Sequence, residues 1–202
     1  MTLDRLRPLA DRALEPFVSG AVRLGLTPNA ISILALALAL AAGVAFGVAG
    51  ESPRWYLAGA VLVFANGWLD LLDGAVARET AVDSAAGDLL DHVIDRYADI
   101  VLVVGLAAGI GDWVLGVAAV TGVLMTSYLG TQAQAVGLDR VYAGIVGRAD
   151  RLALIGLAAV LAWATDASIY GWGAIGWVLV VLAVVGHLTA LQRFAQSYRA
   201  LE

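Results

Sequence analysis

Long apolar stretches alternate with short polar turns along the whole chain. Thr27-Pro28 reads as an N-cap followed by proline at the first helical position, and an uncharged run from Asn29 to Gly50 follows. After the turn Glu51-Ser52-Pro53-Arg54, a second run opens at Trp55 and ends in the polar stretch DLLDGAVAR. The connection RETAVD leads to a third run, about 83–110, and Gly111-Asp112 turns into a fourth, Trp113 to about Gln134. A longer loop with Asp139 and Arg140 precedes a fifth run, about 144–165; Asp166-Ala167-Ser168 then turns into a sixth, Gly171 to about Phe194. Each run approaches or exceeds the roughly 20 residues that cross a bilayer as a helix. The pattern predicts an all-α polytopic membrane protein: six transmembrane helices with short turns, an antiparallel bundle over about 27–198. Residues 1–202 form a single membrane-embedded domain, with no separate soluble domain.

The segment before the first run is different. Leu3, Leu6, Ala10, Ala13, Leu14, Phe17 and Val18 recur at helical spacing with Arg and Asp between them. This predicts an amphipathic juxtamembrane helix over about 1–26, lying on the membrane surface with bends at Pro8 and Pro16. A frayed basic tail is the alternative. Its charges are too mixed for a cleaved signal peptide.

Composition agrees with the pattern. Apolar residues make up 61% of the chain and charged residues 14%, well below the roughly 25% of soluble domains. Mean hydropathy is +0.85. The absence of cysteine excludes disulfides and thiolate metal sites. All 12 basic residues are arginine. With a cytosolic N-terminus, Arg5, Arg7, Arg12, Arg23, Arg78, Arg140, Arg148, Arg151, Arg193 and Arg199 fall on the cytosolic side and Arg54 alone outside, with Arg96 inside the third span. That asymmetry puts both termini in the cytosol. The basic side thus faces lipid headgroups, and no nucleic-acid partner is expected.

Against this background, four aspartates stand out. Asp70 lies 15 residues after Trp55, and Asp95 lies 15 before Ile110. At about 1.5 Å per residue, both are about 22 Å from the outer boundary, several ångströms below the cytosolic surface of a hydrocarbon core about 30 Å thick. Asp73 and Asp91 are slightly shallower. Asp70 and Asp73 share a face at i, i+3, as Asp91 and Asp95 do at i, i+4. Two adjacent antiparallel helices can point all four into one volume. An intramembrane Asp costs about 2.5–3.5 kcal/mol, and neighbouring carboxylates repel. Hard divalent cations such as Mg²⁺, Mn²⁺ or Ca²⁺ would neutralise such a group. A network of Asp–Arg pairs stapling the helices is the alternative. Gly74, Ala77 and Gly87 beside the acids leave room for a ligand or for close helix packing.

These residues carry a resemblance. Asp70-x2-Asp73-Gly74-x2-Ala77-Arg78-x8-Gly87-x3-Asp91-x3-Asp95 resembles the signature of the CDP-alcohol phosphotransferases (CDP-alcohol phosphatidyltransferases), with all eight motif positions filled. The resemblance implies that a CDP-linked lipid loses CMP to an acceptor hydroxyl. It also implies two divalent cations, Mg²⁺ or Mn²⁺, on Asp70, Asp73 and Asp91, with Asp95 as general base and further metal contact. The implied nucleotide site comprises Asn66, Asp70, Gly74, Ala77, Arg78 and Gly87. Asn66 bonds either the nucleotide or another helix. Two metals can clamp a pyrophosphate and spread the charge developing on CMP.

Arg148 and Arg151 bracket the carboxylate layer from the fifth span, and Arg140 lies on the loop before it. Arginines at that depth, spare if the acids hold metal, predict a second anion site for the phosphate of a phosphorylated polyol. The alternative makes them membrane-end anchors or partners of Asp150. DRYAD at 95–99 and GRADRL at 147–152 resemble the branch of the family that uses inositol phosphate, the archaetidylinositol phosphate and phosphatidylinositol phosphate synthases. Glycerol-phosphate members more often carry Lys where this chain has Arg96. CDP-archaeol is the favoured donor over CDP-diacylglycerol. The same chemistry on glycerol phosphate, serine or free inositol remains open, as does a divalent-cation or proton transporter, although the outer halves of spans 1–3 are almost wholly apolar. Asp99 is expected to pair with Arg96 or with an arginine of another span, and His187 to be hydrogen-bonded structure. Gly43-x3-Gly47 and Gly105-x3-Gly109 suit close helix packing, and the resemblance points to a homodimer. The expected location is the cell membrane of a prokaryote, with the active site facing the cytosol.

Overall fold

The computed structural model describes residues 7–81, 84–139, 141, 144 and 146–202. It contains seven helices among the described residues: α1 (Arg7–Arg23), α2 (Pro28–Gly47), α3 (Arg54–Thr80), α4 (Ala85–Ile110), α5 (Trp113–Ala135), α6 (Arg148–Ala164) and α7 (Ala174–Leu201). Among the described residues the fold is all-α, apart from a single bridge pairing Ile169 with Trp172 in the α6–α7 loop.

Local chemistry explains where the helices begin. The Thr27 hydroxyl accepts from the Ala30 N–H at 3.2 Å with Pro28 at the first helical position, so α2 starts one residue earlier than the apolar run. Ser84 caps α4 through the Gly87 N–H at 3.0 Å, and Asp112 caps α5 through the Leu115 N–H at 3.0 Å. At α6 the Gly147 N–H donates to the Asp150 carboxylate at 2.9 Å. That cap moves the start of α6 to Arg148, where the apolar pattern predicts about 144. α2 stops at Gly47, with 48–50 forming a turn, and α7 runs seven residues beyond the expected Phe194.

Four helices, α2, α3, α5 and α7, are long and apolar enough to cross a membrane by length and composition. The other two predicted spans depart from that profile for separate reasons. α4 has 26 residues but carries Asp88, Asp91, Asp95, Arg96 and Asp99, and α6 has only 17 residues. At about 1.5 Å per residue, α6 is about 25 Å long.

α2 packs against both α3 and α4, α5 pairs with α7, and α6 lies against α3 and α7. The main core joins Phe46, Val63, Leu102, Leu106, Val123, Ile155 and Leu179, all at most 3% exposed. Large apolar side chains also cover the outside, among them Leu34, Val44, Val61, Val114, Val117 and Leu157. This inverts the surface of a soluble domain. The glycine pairs work inside the chain: a Cβ on Gly105 would lie 2.3 Å from the Gly43 carbonyl oxygen, and one on Gly109 2.2 Å from that of Phe46. α2 and α4 touch backbone to backbone there.

α1 runs through Pro16 without a break, and Pro8 falls in its first turn, where a helix has no N–H bond to lose. Leu14, Val18 and Ala21 pack on Ile31, Leu72 and Val76, and Phe17 meets Trp68 edge to face with ring centroids 5.4 Å apart. This small second core holds α1 against the polar end of α3.

Candidate active site

The second half of α3 and the first half of α4 carry the acids, and the two helices bring them together. Ala81 adopts a left-handed backbone (φ 52°) at the end of α3. Asp70, Asp91 and Asp95 each offer a carboxylate oxygen within 4.8 Å of the others'. Asp73 takes a different position: it is 7% exposed, and its Oδ2 accepts the Ser32 hydroxyl of α2 at 2.6 Å. The donor set is all oxygen. His92, beside Asp91, lies outside it, with Nδ1 at 2.7 Å from the Asp88 carbonyl oxygen. Such a set fits a hard divalent cation.

α6 inserts two guanidiniums into this acidic stripe. Arg148 pairs with both Asp70 and Asp95. One turn on, Arg151 donates to Asp99 at 2.7 Å, both groups buried. Arg96 lies 3.6 Å from Asp95 and from Asp99. Asp99 thus meets both of the partners expected for it. Arg148 thus meets two of the expected metal ligands, and Arg151 meets Asp99, which lies outside that ligand set. The Asp150 carboxylate caps its own helix through the Gly147 N–H. Arg140 lies outside the described residues.

Beside the acids is a cleft of about 330 Å³. Thr27, the cap of α2, with Pro28, Asn29 and Ser32 of that helix forms one wall, Asp73, Gly74 and Ala77 of α3 a second, and Ser84, Gly87, Asp88 and Asp91 the third. Gly74, Ala77 and Gly87 therefore line open space next to the carboxylates. A Cβ on Gly87 would come within 3.1 Å of the Ser84 hydroxyl and 3.5 Å of the Asn29 side chain, narrowing the cleft. Arg78 lies just outside, in an adjoining groove with Arg12, Glu15, Ser19 and Glu79; its guanidinium would be 3.5 Å from a Cβ on Gly74.

Asn66 is placed elsewhere. It is fully buried, donates to the Ala35 carbonyl at 2.8 Å, and is absent from the cleft wall. Of its two expected partners, the structure gives it the other helix. His187 meets the Thr121 hydroxyl at 3.4 Å, joining α7 to α5. Ser32 is the site residue that the motif missed. Its signal was available: apart from Asn29, it is the sole polar side chain in the run from Asn29 to Gly50.

Known proteins share this architecture and sequence. The model of the family described as CDP-alcohol phosphatidyltransferase matches residues 25–189. An archaetidylinositol phosphate synthase of Methanothermobacter thermautotrophicus is 33% identical, covering 99% of this chain and 96% of its own. A crystal structure of the phosphatidylinositol phosphate synthase of Mycobacterium tuberculosis with CDP-DAG bound superposes with a TM-score of 0.76 at 29% identity, covering 93% of this chain and 94% of that one. The same enzyme in complex with manganese and citrate gives 0.77 at 28% identity over 91% and 88% of the two chains. With its four apolar helices and this family match, the chain is an integral membrane protein, and it belongs to the CDP-alcohol phosphatidyltransferase family.

Proposed function

We propose that the protein transfers the lipid phosphate of a CDP-linked lipid to a hydroxyl of a phosphorylated polyol, inositol phosphate being favoured, and releases CMP. One arrangement carries the reading: aspartates of two helices converge beside a cleft, with arginines of a third helix at the same level. The donor's pyrophosphate and the acceptor's phosphate are both anions, so both need cationic partners. Divalent cations held by Asp70, Asp73, Asp91 and Asp95 neutralise the pyrophosphate and the departing CMP. Gly74, Ala77 and Gly87 let the nucleotide approach the backbone, and Arg78 closes the site from the adjoining groove. Arg148, relieved of Asp70 and Asp95 when cations occupy those carboxylates, holds the acceptor phosphate together with Arg151 and Arg140.

Asp95 is the base. It takes the proton of the acceptor hydroxyl as that oxygen bonds to the lipid-bearing phosphorus. The phosphorus–oxygen bond to CMP breaks, and its electron pair leaves on CMP. The CDP-DAG-bound mycobacterial relative supports a CDP-lipid donor, and the archaeal relative supports an archaeol-type lipid and an inositol phosphate acceptor.

The same reading takes residues 1–202 as one domain, with α1 on the cytosolic membrane surface and six spans from α2 to α7. Both termini and the cleft face the cytosol, and the working unit is a homodimer. The test supplies full-length protein in lipid nanodiscs with CDP-archaeol or CDP-diacylglycerol, Mg²⁺ or Mn²⁺, and a panel of inositol phosphate, glycerol phosphate, serine and free inositol. CMP release is expected to be fastest with inositol phosphate and to vanish when EDTA removes the cations. Fastest turnover with another acceptor overturns the acceptor assignment. No release with any acceptor, together with ion flux in liposomes, replaces the enzyme with a transporter.

A further inference from the structure

We infer that Ser32 is a positioning residue for the metal site, holding Asp73 so that one of its carboxylate oxygens is offered to the cations. The inference rests on the proposed role of Asp73 as a metal ligand. Ser32 is 5% exposed on a helix otherwise made of Ala, Leu, Ile, Val, Phe and Gly beyond its first turn, so nothing about α2 as an apolar span calls for a hydroxyl there. Its Oγ lies 2.6 Å from Asp73 Oδ2 and 3.1 Å from the Pro28 carbonyl oxygen one turn earlier in α2. A hydroxyl has one proton to donate. The shorter contact goes to the carboxylate, as expected when the acceptor is ionised.

This bond has a geometric consequence. Asp70, Asp91 and Asp95 converge within 4.8 Å without help from α2, whereas Asp73 is drawn toward α2 and toward the cleft. With Oδ2 engaged by Ser32, the χ angles of Asp73 are fixed and Oδ1 is the oxygen left for a cation. Asn66 adds a second tie between the same two helices: its amide donates to Ala35, three residues after Ser32. The two ties lie on either side of Asp70 along α3, so the register of α3 on α2 is set at the acids themselves. Pro28 provides a fallback acceptor. If a cation draws Asp73 away, the Ser32 proton can turn to the Pro28 carbonyl and no buried donor is stranded. Groups that orient a metal ligand in this way typically change metal affinity by about 10–100-fold when removed.

The test measures Mn²⁺ binding to the full chain in nanodiscs, without nucleotide or acceptor, from the EPR signal of free Mn²⁺. Ser32→Ala is expected to weaken Mn²⁺ binding about 10-fold, and Ser32→Thr, which keeps the hydroxyl, to restore most of it. A role confined to packing would shift the metal-free melting temperature and leave Mn²⁺ affinity alone; that result overturns the inference. Should Ser32→Ala fail to fold, Ser32→Cys gives the answer, since its weak S–H donor must weaken Mn²⁺ binding for the inference to stand. Asp73→Asn separates the two levels. If Asp73→Asn weakens Mn²⁺ binding and the Ser32 variants do not, Ser32 is a packing residue; if Asp73→Asn is also silent, the assignment of Asp73 as a ligand falls.

Discussion

Asp99 and Arg151 show how a single pair can be necessary without being stabilising. Both are buried, and their 2.7 Å contact ties α6 to α4 one turn deeper than the proposed base. Two charges removed from water gain little net stability by pairing, but removing Arg151 leaves the buried Asp99 with only the more distant Arg96, 3.6 Å away, as counter-charge. Arg151→Met is expected to destabilise the bundle by about 3–5 kcal/mol, measured by denaturant unfolding in detergent. Adding Asp99→Leu should recover most of that loss, because a matched apolar pair needs no counter-charge. If the double variant is no more stable than Arg151→Met alone, the pair is not what Arg151 was supporting. The motif showed Asp70, Asp73, Asp91 and Asp95, and Asp99 follows one turn later, yet which arginine meets which acid was not legible, since no spacing rule links α6 to α4.

Among the elements, α2 and α4 approach backbone to backbone, and glycine makes this possible. A Cβ on Gly105 would come 2.3 Å from the Gly43 carbonyl oxygen and 2.7 Å from its Cα, so α4 could not approach α2 with any side chain there. At Gly47 the nearest atom to an added Cβ is Ala108 Cβ at 3.9 Å, an ordinary contact. Gly105→Ala should therefore lower the melting temperature by an amount equivalent to about 1–3 kcal/mol of overpacking, while Gly47→Ala leaves it unchanged or slightly raised. Equal effects at the two positions would refute this account of the α2–α4 contact. The spacing of these glycines was visible in the sequence as a packing signal. Its partner was not: only the structure shows that Gly105 and Gly109 of α4 meet the backbone of α2.

For the molecule as a whole, the proposed topology rests on charge. Ten of the twelve arginines fall on one side if six helices alternate, and the acid-lined cleft lies at that same end. The absence of native cysteine makes this directly measurable. A cysteine at Ser168, in the α6–α7 loop, should react with an impermeant maleimide in intact cells. One at Glu202 should react only after the membrane is opened. Labelling of both in intact cells would mean an even number of crossings between them and would remove α7 as a span, while labelling of Glu202 alone would reverse the proposed orientation. The exposed apolar girdle of Leu34, Val61, Val117 and Leu157 has its counterpart in lipid rather than in a hidden core.

The sequence alone determined the helical class, the turns and the identity of the acidic cluster. Those depend on local quantities: hydropathy summed over a window, caps at fixed offsets, and side chains three or four residues apart on one helix face. Only the tertiary structure decided what each polar group meets across helices. It gave Asn66 to a backbone carbonyl of α2, Ser32 to Asp73, Arg148 to two carboxylates at once, and Arg151 to Asp99. In an apolar bundle a polar group takes whichever partner the packing brings within reach, and that depends on crossing angle and rotation, which no stretch of a single helix encodes.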